Sequence, residues 1–135
     1  MKKKVIALLL VVALVASLCV CFVACNNDED EFKVGLICLH DQNSTYDANF
    51  INAMKEVQKE LGLKDSQVII VTGIPESNAC YDEAANLVDQ GCDIIFADSF
   101  GHEPYIIQAA KDFPNVKFCH ATGTKAHTEN ISNFP

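Results

Sequence analysis

The sequence of 135 residues contains no arginine. Its positive charge rests on lysine alone. The planar guanidinium fork that grips carboxylates and phosphates in a bidentate fashion is therefore missing. Ligands whose main handle is an anionic group are disfavoured. Nucleic acid is excluded more firmly, because it demands basic patches that displace counterions. No internal repeat occurs, and the only low-complexity tract is the short "NNDEDE". No disulfide framework is legible either. Cys38, Cys80, Cys92 and Cys119 follow no recognisable spacing, and Cys38 and Cys119 fall inside apolar strand patterns. They read as small buried hydrophobes. Short metal-ligand spacings are absent as well.

What is present begins with a segment to set aside. "MKKK" is a positively charged start, and Val5 to Ala24 carries no charge. A run of this length suits a secretory signal or an uncleaved membrane anchor. "FVAC" decides between them: small Ala24 directly precedes Cys25, and a polar acidic stretch follows. The arrangement resembles a bacterial lipobox, with Phe22 where leucine is usual. The reading is a signal peptide over 1–24, a lipidated Cys25 with an acidic tether over 25–32, and one α/β lobe over 33–135. Stable anchoring takes at least two acyl chains. Once the signal is removed, seven lysines face eighteen acidic residues.

The remainder alternates between two periodicities. "KVGLICL" (33–39), "QVIIVTG" (67–73), "CDIIFA" (92–97) and "NVKFCH" (115–120) read as strands. Between them lie helical repeats. Phe50, Met54, Val57 and Leu61 share one face, and Tyr81, Ala84, Leu87 and Val88 share another, with Gly62 and Gly91 as stops. Pro104 suits the first turn of a third helix, which ends before Pro114. This is β-α-β-α-β-α-β, hence a parallel doubly wound sheet with helices on both faces and right-handed crossovers. No helix is legible after the fourth strand. The lobe reads as incomplete, an N-terminal fragment of a longer protein.

Ligands in such sheets bind beyond the carboxyl ends of the strands. Four loops qualify: 40–47, 73–78, 98–103 and 120–128. The first, within "HDQNSTYDANF", is crowded with hydrogen-bonding side chains. Either it caps a helix, with Thr45 or Asp47 as N-cap, or it holds a ligand. The loop Asp98-Ser99-Phe100-Gly101-His102 offers a ring and a glycine that admits close backbone approach. Two other chemistries are compatible with these loops. His40, His102 and His120 all fall at strand ends beside Asp41 and Asp98, a donor set suited to zinc. "ADSFG" approximates a nucleophile elbow around Ser99, with Ala97 in place of the first glycine. A triad packed into a single turn has no easy way to place histidine between serine and aspartate.

The lipobox, "FKVGLICLHDQNSTYDANFINAMKEV" and "LVDQGCDIIFADSFGHEPYIIQAAKDFPNVKF" together resemble the basic membrane protein (BMP) family of substrate-binding lipoproteins. The resemblance covers the chain from Cys25 onward. It implies the first lobe of a type I periplasmic-binding-protein-like fold, in which two α/β lobes close on a ligand. It also implies a nucleoside as ligand, an ABC permease as partner, membrane attachment through lipid, no cofactor and no catalysis. The family's first loop carries Asp-Lys-Ser-Phe-Asn, whose Phe stacks on the base. Asn43, Ser44, Thr45, Tyr46 and Asp47 fall there. The resemblance makes Tyr46 the stacking ring and Asp47 an acceptor in place of the family's Asn, while Asn43 and Ser44 replace Asp and Lys. It also turns Ser99, Phe100 and Gly101 toward the cleft.

Overall fold

A computed structural model describes residues 31–125 and 130–134. Cys25, the signal and most of the tether lie outside the described residues. Phe32 onward forms one compact unit. Its elements are β1 (Val34–Ile37), α1 (Thr45–Leu61), β2 (Val68–Val71), α2 (Asn78–Asp89), β3 (Ile94–Ala97), α3 (Glu103–Asp112), β4 (Lys117–Ala121) and β5 (Ile131–Phe134). Short 3-10 turns precede β2 and α3.

All strand pairings are parallel, in the order β2-β1-β3-β4-β5. β1 sits inside the sheet and is buried along its whole length, which explains the uninterrupted apolar run "VGLI". The chain leaves β1 toward β2, then returns to place β3 on the other side of β1. The strand order therefore reverses between β1 and β3. Beyond the carboxyl ends of that pair lies the crevice where doubly wound sheets take ligands.

α2 and α3 cover one face of the sheet. Ala84 and Leu87 of α2 and Ile106, Ala109 and Ala110 of α3 pack on Ile37, Ile95 and Phe118. Each fully buried Leu or Ile contributes roughly 1.5–3 kcal/mol. Among the described residues α1 alone covers the other face, where Ile51 and Met54 meet Val34, Leu36 and Cys38. The expected inward stripe of α1 is only half realised. Met54 is buried, but Val57 is 42% and Leu61 63% exposed. They line an apolar groove with Phe32, Phe50, Phe96 and Phe134, enclosing a cavity of about 290 Å³. One helix is too narrow to cover a five-stranded face.

Two further features differ from the sequence reading. α1 begins at Thr45, three residues earlier than its apolar pattern, because Ser44 caps it. It ends where expected: Gly62 adopts the left-handed conformation with φ of 65°. And a fifth strand follows the fourth. β5 pairs along β4 from Phe118 with Ile131 to Ala121 with Phe134. The Asn130 side chain fastens its start by donating to the carbonyls of Ala110, Phe113 and Val116. The four cysteines are free, with Cys38, Cys80 and Cys92 buried and Cys119 half-buried. Among the described residues no helix is long and apolar enough to cross a membrane.

Candidate functional site

The loop after β1 is built as a helix cap. Ser44 Oγ accepts the Asp47 N–H at 3.4 Å and donates to the Asp47 carboxylate. The same carboxylate accepts the His40 N–H at 2.7 Å, and the His40 ring stands 3.4 Å away. Ser44 is thus the N-cap, and the Asp47 side chain in the third helical position reaches back past it to the His40 N–H rather than to the N-cap N–H. Burial pushes the Asp47 carboxyl up, but hydrogen bonds from Ser44 and His40 outweigh it and hold the group below its ordinary value. Asp47 is only 1% exposed. Asn43 folds back on the same turn, donating from its backbone and side chain to Asp41. The polar density of this loop is thus largely consumed within it.

The cap leaves the two residues between Ser44 and Asp47, Thr45 and Tyr46, facing outward. Tyr46 is 45% exposed, its hydroxyl donates to the Asp98 carbonyl at 2.9 Å, and its ring leans on Phe50 with centroids 5.0 Å apart. Tyr46 follows β1 and Asp98 follows β3, so this hydrogen bond spans the strand-order reversal. Behind it, Asp98 is fully buried. One carboxylate oxygen accepts the Leu39 N–H at 3.1 Å, while the other has no hydrogen-bond partner among the described residues. Burial raises the Asp98 carboxyl to about 6, against weaker opposition from hydrogen bonds with Cys38 and Leu39. The two carboxylates and Cys38 Sγ lie within 4.8 Å of one another. A proton on Asp98 suits its unpartnered oxygen and relieves the repulsion from Asp47.

The loop after β3 presents Phe100, 61% exposed, between two residues held from another loop. Ser99 Oγ donates to Glu76 at 2.6 Å, and the Gly101 N–H donates to the same oxygen at 2.9 Å. Glu76 belongs to the turn after β2. A Cβ at position 101 would collide with the Glu76 carboxylate, so only glycine permits this approach. Sequence reasoning placed 73–78 among the ligand-end loops but did not single out Glu76. Its position in that loop was the available signal.

The histidines do not converge. The His40 side chain is exposed beside Asp47. His102 is buried and its Nε2 meets the Ile74 carbonyl at 2.9 Å. His120 is buried and its Nε2 meets the Ser99 carbonyl at 2.7 Å. Among the described residues, the only group of three or more potential metal ligands contains no histidine. The nucleophile-elbow reading fares no better. The Ser99 hydroxyl is bonded to a carboxylate, and the His102 and His120 rings are engaged by the backbone carbonyls of Ile74 and Ser99 rather than by the Ser99 hydroxyl.

A parallel doubly wound sheet with two exposed rings, Tyr46 and Phe100, beyond the carboxyl ends of β1 and β3 has the architecture of one lobe of a type I periplasmic-binding-protein-like fold. Solved structures share it. A solute-binding protein of an ABC transporter system from Conexibacter woesei superposes with a TM-score of 0.63 at 18% identity, over 76% of this chain and 34% of that one. One from Aeropyrum pernix gives 0.56 at 19% identity, over 76% and 28%. A transcriptional activator of the comK gene from Bacillus halodurans gives 0.64 at 22% identity, over 75% and 33%. In sequence, the chain is 32% identical over 109 residues to a purine-binding protein of Brucella abortus, a match covering 78% of this chain. The chain spans 30% of that relative's length. No family model matches it. The resemblance to the basic membrane protein family drawn from the sequence is borne out by this relative and by the fold.

Proposed function

We propose that this chain supplies a ligand-binding lobe of a lipid-anchored, extracytoplasmic substrate-binding protein serving an ABC importer, with a nucleoside as ligand. One observation carries the reading. Two large aromatic rings, Tyr46 and Phe100, stand exposed on the loops that follow the neighbouring strands β1 and β3. Exposed rings at a ligand-binding crevice are suited to stacking on a base, worth about 1–3 kcal/mol per base. The purine-binding relative supports the same ligand class.

The remaining site residues act around these rings. Ser44 and Asp47 set the direction of Tyr46 through the cap, with Asn43 fixing the turn before it. Ser99 and Gly101 hold the loop that carries Phe100. In this reading the lobe captures a ligand and releases it unchanged. The absence of arginine fits an uncharged ligand. Cys25 is the proposed attachment point for lipid, and a permease is the proposed recipient of the ligand.

The test is isothermal titration of the complete gene product with adenosine, guanosine, inosine and uridine, with free ribose as control. Saturable binding of a nucleoside is expected, and binding of none of them would refute the ligand class. For the anchor, labelled palmitate is expected to enter the wild type and not Cys25→Ala; equal labelling of both would remove Cys25 from that role.

A further inference from the structure

Glu76 is the exposed carboxylate of the candidate site, and only half of it is used. Oε1 accepts both Ser99 Oγ and the Gly101 N–H. Oε2 has no hydrogen-bond partner among the described residues. The two donors flank Phe100 in sequence, so the carboxylate is fastened to the turn that displays the ring. The hydrogen bonds from Ser99 and Gly101 hold the carboxyl below its ordinary range, and Glu76 is an ionised acceptor at neutral pH. Fixing one oxygen also fixes the direction of the other. That is pre-organisation, which lowers the ordering cost of binding.

We propose that Glu76 reads the edge of a base stacked on Phe100, accepting N–H donors with Oε2, and thereby favours 6-oxopurine nucleosides over adenosine. This rests on the nucleoside reading above. A carboxylate is acceptor-only. Guanosine presents N1–H and a 2-amino group side by side, and inosine presents N1–H. Adenosine places the N1 acceptor beside its amino group, and an acceptor facing a carboxylate is repelled. A site built to bond a particular N–H discriminates strongly against analogues that lack it. The same charge, with no arginine to offset it, disfavours nucleotides.

The bland alternative is that Glu76 only ties two loops together. Glu76→Gln separates the roles. Its amide oxygen still accepts from Ser99 and Gly101, while the amide nitrogen puts a donor where Oε2 stood. Titration of the complete protein with guanosine, inosine and adenosine gives an affinity ratio within each variant, so any loss of folded fraction cancels. The wild type is expected to prefer guanosine and inosine. The variant is expected to lose about tenfold or more in guanosine affinity, with adenosine changed by about threefold or less. An unchanged ratio, whether all ligands weaken together or none do, overturns the role of Glu76 and leaves nucleoside binding intact. A wild type that binds no purine nucleoside overturns both.

Discussion

Asp47 and Glu76 both stand beyond the carboxyl ends of strands, and they face opposite ways. Asp47 turns inward, where Ser44 and the His40 N–H satisfy its carboxylate. Glu76 lies on the surface, anchored through one oxygen with the other open. Two carboxylates at the same end of one sheet thus have different work. The inward one holds the backbone that aims a ring, and the outward one is available to a ligand. What separates them is whether a lone pair remains after the protein has used its own donors. A crowded polar loop is therefore weaker testimony to a site than one oxygen left over on a rigid support.

The sharpest way to break this contrast is Asp47→Ala. It leaves the Ser44 cap in place but removes the acceptor of Ser44 Oγ and strands a partly buried N–H on His40. Stability is expected to fall by about 1.5–3 kcal/mol in urea denaturation. Any loss of affinity is expected to be equal for ribonucleosides and their 2′,3′-dideoxy analogues, because the carboxylate touches no ligand. A selective loss for the ribonucleoside would instead place Asp47 against the sugar.

Tyr46 tests the product of the cap. Tyr46→Ala is expected to weaken nucleoside binding by about 1–3 kcal/mol. Tyr46→Phe keeps the ring and loses only the hydrogen bond to Asp98, a change of about 0.5–1.5 kcal/mol. If both variants bind as the wild type does, the ring does not stack.

A pH dependence lies behind Tyr46. Asp98 titrates at about 6 in the fold against an ordinary value of 3.8, chiefly through burial. A carboxyl raised on folding stabilises the fold while protonated. That contribution is complete below the ordinary value and is lost as pH rises through about 6. Asp47, Glu76 and Glu103, whose carboxyls are lowered, act in the opposite sense. Asp98→Asn isolates the term. Between about pH 4 and about pH 7, wild-type stability is expected to decline relative to the variant. A constant difference would show that Asp98 does not titrate there.

Much of this fold was legible because its signals are local. Four apolar runs, two amphipathic repeats and Gly62 each declare an element within a few residues. β5 was not legible. "ISNF" is short and half polar, and it becomes a strand through the β4 ladder and the three hydrogen bonds made by Asn130. The start of α1 was missed because its apolar pattern begins at Ala48, while Ser44 and Asp47 extend the helix by capping it. The loops and rings of the site followed from topology. Glu76 did not, since its partners Ser99 and Gly101 are more than twenty residues away in sequence. Long-range polar contacts leave no periodicity to read.

The groove under α1 bears on how any binding measurement is made. Phe32, Phe50, Phe96 and Phe134 line it with Val57 and Leu61, and neither Glu76 nor Phe100 is among its lining residues. It offers greasy reporter molecules a home of their own. Solvatochromic dyes and nucleoside analogues bearing large fluorophores will brighten there whether or not the crevice is occupied. A screen built on such probes would count partition into this surface as recognition. Unlabelled nucleosides with heat as the readout avoid the artefact, and competition by unlabelled guanosine exposes it wherever a fluorescent signal refuses to fall.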